Sequence, residues 1–389
     1  MKQLLRMLQK YPFSGLIRRA FFVLRGRVVS LRTKNPRGTA LLSYTTLPFT
    51  LLNDNMLAGH SNYFEVRDMA QAFIEQGYNV DVIDHTNSTF IPKTQYSYFL
   101  DIGNNIERFA PLLPASCIKI FFATGADPHF QNTAERLRIE QVQLRRGVTL
   151  TPRRQVPEHH GIEKADVVSG LCGAFPASTY THYQKPIHML HVSSSHEYPL
   201  AVDKNYDDAK KHFLWFGGAG AIHKGLDIVL EAFRDMPELT LTVCGKFAGE
   251  EDFVDAYKKE LYETPNIRTV GYINPASETF ERIRRNCIGV VSVSCSEGCA
   301  SSIVLAMHAG LIPIVNKETG IDVDSFGILL QNSTPSDLRA AVRAIAHEQR
   351  GTLKAWSYAA GTYARTNHTR AQFGKEFRAF IKTLEQKGE

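Results

Sequence analysis

The chain has 389 residues, 43% of them hydrophobic, which is enough for two ordinary cores and excludes a disordered or fibrous protein. Its formal charge of +6 is uneven: residues 1–39 hold ten Lys or Arg and no Asp or Glu, so the other 35 basic against 39 acidic residues leave the body near −4. A mildly acidic body excludes nucleic acid as the main partner.

The basic segment comes first. Ile17, Ala20, Phe21, Leu24 and Val28 recur at helical spacing while Arg18, Arg19 and Arg25 lie off that stripe, which predicts a basic amphipathic extension over 1–38. Such a face attaches to an anionic membrane surface, each Lys or Arg near it adding about 1 kcal/mol; a solvated basic tail or a transit peptide has the same composition. No run approaches the roughly 18–20 apolar residues of a membrane-spanning helix, and Arg residues interrupt the early apolar stretches where a signal peptide needs continuity. The expectation is a cytoplasmic protein, peripheral on the inner face of the membrane if attached at all.

From Gly38 onward, apolar runs at 39–44, 78–84, 98–102, 117–123, 165–171 and 187–192 read as strands. Between them, 63–76 places Phe64, Met69, Ala72 and Phe73 near one helix face and stops at Gly77. This alternation predicts a parallel sheet covered by helices, a Rossmann-like domain over 39–200. A polar stretch at 193–211, with Pro199, reads as the linker. Strands then recur at 213–216, 239–244, 267–270, 288–293, 312–315 and 328–330, with helices at 226–234, 253–262, 277–285, 300–309 and 336–347. These form a second Rossmann-like domain over 201–360. Phe373, Phe377 and Ile381, spaced by four, mark a helix within 361–389. The periodicity therefore gives an α/β protein with two doubly wound halves.

Six cysteines (117, 172, 244, 287, 295, 299) form no CxxC pair, and several sit in strand-like runs where a free thiol behaves as a small apolar residue. A reducing compartment is implied. Cys295 and Cys299 lack the second pair or the His spacing of a zinc site, so no metal is expected.

Chemistry concentrates in the second half. The apolar run at 288–293 meets a turn with Ser294, Ser296, Glu297 and Gly298, and a helical pattern (Ile303, Ala306, Met307) then ends at Gly310 before the next strand. At such a strand-to-helix turn the N–H groups of Cys299, Ala300, Ser301 and Ser302 and the helix dipole favour an anion. Ser301 and Ser302 add hydroxyl donors or cap the helix. Upstream, Gly217, Gly218 and Gly220 follow a strand, where glycine lets backbone N–H groups approach phosphate closely. Lys224 precedes Leu226, Val229, Leu230 and Phe233 at helical spacing, so its ammonium is expected in the first turn. There it opposes the dipole by roughly 0.3–1 kcal/mol, which an anionic ligand offsets. In the first half, Gly59, His60 and Asn62 precede a helix, and Asp127 and His129 follow a strand. Arg136, Arg138, Arg145, Arg146, Arg153 and Arg154 form either a site for phosphate on a lipid-linked acceptor or a solvated helix face.

The 290–316 segment resembles the signature of the family-4 (group 1) glycosyltransferases, retaining nucleotide-sugar transferases of the GT-B fold. Glu297, Gly298, Gly310 and Pro313 match it. The second Glu, which grips the nucleotide ribose in that family, is replaced by Leu305, and an Arg after the strand's Gly is replaced by Gly218. The resemblance implies two Rossmann-like domains facing a central cleft, with a tail crossing back to the first domain. It also implies that Lys224 binds the donor phosphate and that Glu297, with the N–H groups of 298–302, contacts sugar and diphosphate. Gly59 corresponds to the glycine-rich loop, His60 and Asn62 to donor or acceptor contacts, and His129 to a sugar-contacting His. The co-substrate is then a nucleotide-diphosphate sugar, with no other cofactor and no metal. The acceptor is a glycan or a lipid-linked hydroxyl, in polysaccharide or glycolipid assembly. Leu305 and Gly218 also suit a non-catalytic GT-B protein that binds a nucleotide sugar or serves as a scaffold; a nucleotide-sugar epimerase is a third reading.

Overall fold

The computed structural model describes residues 28–50, 60–171, 173–199, 204–323 and 325–386, so the amphipathic pattern within 1–27 and the loop residue Gly59 lie outside it. Two sheets carry the described chain. The first comprises β1 (Val29–Leu31), β2 (Gly38–Tyr44), β3 (Tyr78–Asp84), β4 (Tyr98–Asp101), β5 (Ile118–Ala123), β6 (Val167–Leu171) and β7 (Ile187–Leu190). The second comprises β8 (His212–Phe216), β9 (Thr240–Cys244), β10 (Ile267–Thr269), β11 (Gly289–Ser292), β12 (Ile312–Asn316) and β13 (Ile328–Leu330). The twelve predicted strands all form, within two residues of their expected bounds. Central strands such as β11 and β12 are buried on both faces, which is why they read as unbroken apolar runs.

The strand orders are β1-β3-β2-β4-β5-β6-β7 and β10-β9-β8-β11-β12-β13, parallel throughout except for β1 against β3. The direction of winding reverses between β2 and β4 and between β8 and β11. At those reversals the loops diverge and leave a crevice at the carboxyl edge. β1 was read as part of the basic extension; instead it pairs Val29 with Val82 and Leu31 with Val80 as an edge strand.

Helices of eight or more residues among those described are α1 (Ser61–Glu75), α2 (Pro128–Arg146), α3 (Leu226–Arg234), α4 (Glu278–Asn286), α5 (Ser301–His308), α6 (Pro335–His347), α7 (Arg350–Asn367) and α8 (Arg370–Gln386). The pattern at 253–262 divides into two short helices, Glu251–Ala256 and Lys258–Tyr262. The polar stretch at 193–211 is no solvated linker. Lys204 is buried and donates to the carbonyls of Cys287 (2.7 Å) and Gly310 (3.2 Å), and Tyr198 stacks on Phe280.

α2 starts where Asp127 Oδ1 accepts the N–H groups of His129 and Phe130 ahead of Pro128, and it ends on the left-handed Gly147. Although it belongs to the first domain, its Ile139 and Val142 pack in the core of the second. Its arginines do the same: Arg138 and Arg145 pair with Asp227 at 3.2 and 2.8 Å, Arg145 with Glu231 at 2.9 Å, and Arg146 with Glu260 at 2.7 Å. Arg153 adds a pair with Asp252 at 2.7 Å. These four arginines are therefore neither a solvated face nor an acceptor site; they bind one lobe to the other.

The last two helices divide between the lobes. α7 packs on α5 and β12, whereas α8 returns to α1 and β7, with Phe377 against Phe73 and Arg378 paired to Glu75 at 2.6 Å. At the crossover His368 is buried, bonds the Val192 carbonyl at 3.0 Å, and accepts the Ser194 N–H at 3.1 Å through its own carbonyl.

Glu65 of α1 is fully buried, accepts the N–H and Oγ–H of Ser193 at 3.0 Å each, and leaves Oε2 without a partner. Burial pushes its carboxyl from 4.5 up to about 7. The folded state therefore holds a proton that the unfolded chain has released. Glu65's contribution is complete below about pH 4.5 and is lost as pH rises through 7, on the order of 3 kcal/mol in all. His368 works oppositely, since burial lowers its imidazole to about 4 and stability falls as pH drops below its ordinary value. Glu65→Gln, which keeps an acceptor for Ser193 and leaves His368 in place, should remove the loss between pH 5 and 8. Parallel melting profiles for the variant and the natural protein would rule this out.

Candidate active site

The reversal in the second sheet brings the loops after β8 and β11 side by side. They are stitched together: the Cys295 N–H donates to the His223 carbonyl at 2.7 Å, and His223 Nε2 donates to the Ser296 carbonyl. Gly225 (φ +70°) permits this closeness, because a Cβ there would lie 2.0 Å from the Val293 carbonyl oxygen. The outcome is an ion pair at the crevice, Lys224 Nζ to Glu297 Oε1 at 2.6 Å, with both side chains largely buried.

Burial alone would raise the Glu297 carboxyl. The Lys224 ammonium and its hydrogen bond hold it below its ordinary value instead. His223 is almost fully buried and is kept neutral by desolvation first, the Lys224 charge opposing protonation and Glu297 favouring it. With Nε2–H bonded to Ser296, its Nδ1 is a buried acceptor lacking a partner, 4.0 Å from Glu135 Oε1. Neither His223 nor Glu135 stood out in sequence. The first adjoins Lys224 and was a visible neighbour; the second sits among arginines with no local signal.

Several expectations change. Lys224 is not in the first turn of α3: Gly225 is the N-cap, and the ammonium turns to Glu297 rather than facing the dipole. The glycine turn is only partly open, because the Gly220 and Ala221 N–H groups donate to the buried Glu250 carboxylate at 2.6 and 2.8 Å and Gly217 N–H to the Cys244 carbonyl. A carboxylate thus occupies part of the expected phosphate nest. A Cβ at Gly218 would meet nothing within 4 Å. At α5, the Ala300 N–H is taken by the Thr319 carbonyl and Ala300 is the N-cap, so Ser301 and Ser302 open the helix without capping it. Gly298 touches the other lobe: its Cβ position lies 2.6 Å from the Leu171 carbonyl oxygen and 2.9 Å from that of Thr124. Cys299 lines an interlobe cavity of about 200 Å³ with Gly173, His191, Asp322 and Tyr363, so this cavity and the ion pair share the loop 297–299. Leu305 is buried in the core.

Across the crevice, His60 caps α1, its Nδ1 accepting the Asn62 N–H at 3.4 Å. Desolvation and then the Lys224 and Arg154 charges hold its imidazole below its ordinary value. Asn62 Oδ1 is buried without a partner. His129 instead pairs with Glu158 at 3.4 Å, both largely exposed. Among the described residues no group of three His, Cys, Asp or Glu is placed to hold a metal.

Residues 201–362 match the family described as Glycosyl transferases group 1. This stretch, most of the second lobe, is similar to a group 1 glycosyltransferase domain. Solved structures extend the likeness to both lobes. HepE from Anabaena, in complex with UDP and glucose, is 13% identical over 90% of this chain and 99% of its own, with a TM-score of 0.56. Sucrose-phosphate synthase from Thermosynechococcus elongatus is 13% identical over 91% and 99%, TM-score 0.57. WaaG, a glycosyltransferase involved in lipopolysaccharide biosynthesis, is 13% identical over 87% and 98%, TM-score 0.51. At such identities the likeness establishes the fold: GT-B, two Rossmann-like domains about a cleft. None of the curated proteins matches the chain.

Proposed function

We propose that this chain is a glycosyltransferase that moves a sugar from a nucleotide-diphosphate sugar to a hydroxyl acceptor with retention at the anomeric carbon. The observation that carries the reading is the buried Lys224–Glu297 pair at the reversal of a sheet in the 3-2-1-4-5-6 order, where nucleotides bind. UDP and glucose in HepE support the same donor class.

In the reaction the bond from the anomeric carbon to the β-phosphate oxygen breaks, a bond to the acceptor oxygen forms, and the acceptor proton leaves with the diphosphate. Negative charge grows on phosphate while the ring becomes cationic, as at other glycosyl centres. Without donor, Lys224 is neutralised by Glu297. Donor binding exchanges that partner: the ammonium takes the diphosphate, and Glu297 is released to the sugar hydroxyls. The N–H groups of 298–302, apart from that of Ala300, and the open side of Gly218 complete the berth. His60 and Asn62, at the start of α1, are assigned as donor or acceptor contacts on the facing side.

The product is assigned to polysaccharide or glycolipid assembly, from the basic N-terminal segment and from the role named for WaaG. Among the described residues no helix is long and apolar enough to cross a membrane. The basic, acid-free composition of residues 1–27 carries the assignment of attachment to an anionic membrane surface. The non-catalytic alternative rests on Leu305 and Gly218, and slow hydrolysis of donor without acceptor separates the two, since a scaffold gives none.

Lys224→Ala should lower turnover by about 10² or more, the scale of one electrostatic donor in a closed site; release of nucleoside diphosphate at the natural rate would reject its role. Glu297→Gln should split binding from chemistry. Nucleoside diphosphate affinity is kept or tightened because Lys224 is released, while turnover falls by at least an order of magnitude. Loss of both together, or of neither, would count against the exchange. Anionic vesicles should float the full chain but not one beginning at Val28, which keeps β1; equal recovery would remove the membrane assignment.

A further inference from the structure

Six arginines follow one another between 136 and 154, and four of them are fixed in ion pairs with the second lobe. Arg136 bonds Gln155 and Thr133. Arg154 differs: among the described residues its guanidinium has no ion pair or hydrogen bond, yet its backbone is held at both ends. Its N–H donates to both Glu135 oxygens at 3.0 and 3.1 Å, and its carbonyl accepts from Gln131 Nε2 at 2.6 Å. Arg153 N–H also donates to Glu135, and Asn132 bonds both backbone groups of Val156 at 2.8 Å. Three buried polar side chains of α2 thus serve to hold residues 153–156 in place.

That platform aims Arg154 at the second lobe's glycine turn. The side chain lies over Gly220, with Cγ and Cδ 2.7 and 3.0 Å from where a Cβ would be. Two positions earlier is Gly218, where the resembled family carries an Arg and where this chain has open space. The need for a cation is greater here because Glu250 occupies the Gly220 and Ala221 amides. The charge also reaches the site: Arg154 contributes to lowering Glu297, His223 and His60, after larger contributions in each case.

We propose that Arg154, presented by the first lobe, binds the donor diphosphate as the second cation of the berth, replacing across the cleft the arginine absent at Gly218. This rests on the nucleotide-sugar reading above. Because Lys224 and Arg154 stand on opposite lobes, the diphosphate bridges them, and donor binding is linked to closure of the lobes.

The test measures affinity of the full chain for UDP, GDP, ADP, CDP and dTDP, and for the nucleoside of whichever binds best. Arg154→Ala should weaken the diphosphate about tenfold or more and leave the nucleoside unchanged, since the side chain has no structural partner to lose. Adding Gly218→Arg to that variant should restore most of the diphosphate affinity. Unchanged diphosphate affinity in Arg154→Ala would overturn the assignment, as would an equal loss for diphosphate and nucleoside, which marks structural damage. If the natural protein binds none of the five diphosphates, the nucleotide-sugar reading itself falls and this inference with it; binding by the natural protein with no effect of Arg154→Ala removes only the inference.

Discussion

Asp227 stands at the second residue of α3 with none of its surface exposed, held by Arg138 and Arg145 from the other lobe. A carboxylate buried without a partner is costly, and removing one member of such a set typically costs about 3–5 kcal/mol. The lobes therefore cannot turn freely about α2 without leaving Asp227 or its arginines uncompensated. This constraint sets the facing of the two sheets. It brings the Arg154 platform over the glycine turn and lets Gly298 meet the backbone of Leu171 and Thr124.

Within that frame the crevice is already organised in charge. Lys224 and Glu297 neutralise each other, His223 is held neutral beneath them, and Glu250 fills part of the nest that glycines leave open. When a diphosphate arrives, the Lys224 ammonium changes partner within a crevice whose charges are already in place. Specificity for anions then comes from exchange of partners rather than from empty space.

Much of the fold was legible because buried parallel strands are apolar on both faces and read without ambiguity. What escaped had a common cause, burial achieved by polar residues. α2 shows a weak apolar stripe because Gln131, Asn132, Glu135 and Arg138 share its inner face with Ile139 and Val142, and the polar four are satisfied by distant partners that no local pattern reveals. The stretch at 193–211 reads as solvated for the same reason, since Lys204 is hidden under two carbonyls. β1 is three residues long and lies in a basic segment, too short for alternation to show. At the site, Lys224 and Glu297 were both readable from their motifs, but the contact between them depends on loops 73 residues apart. The occupied amides of Gly220 and Ala221 depend on Glu250, which no glycine pattern announces.

The return of α8 to the first lobe has a consequence for the order of assembly. Phe373, Phe377, Phe380 and Ile381 fill the same core as Phe73 of α1, so the lobe that emerges first from the ribosome lacks part of its interior until the chain is almost finished. The second lobe, translated later, closes its own core with Leu353, Ala360 and Ala364 of α7, before α8 is made. Synthesis thus runs in one direction and closure of the interior in the other, and the early lobe waits with an apolar groove that only the last helix covers.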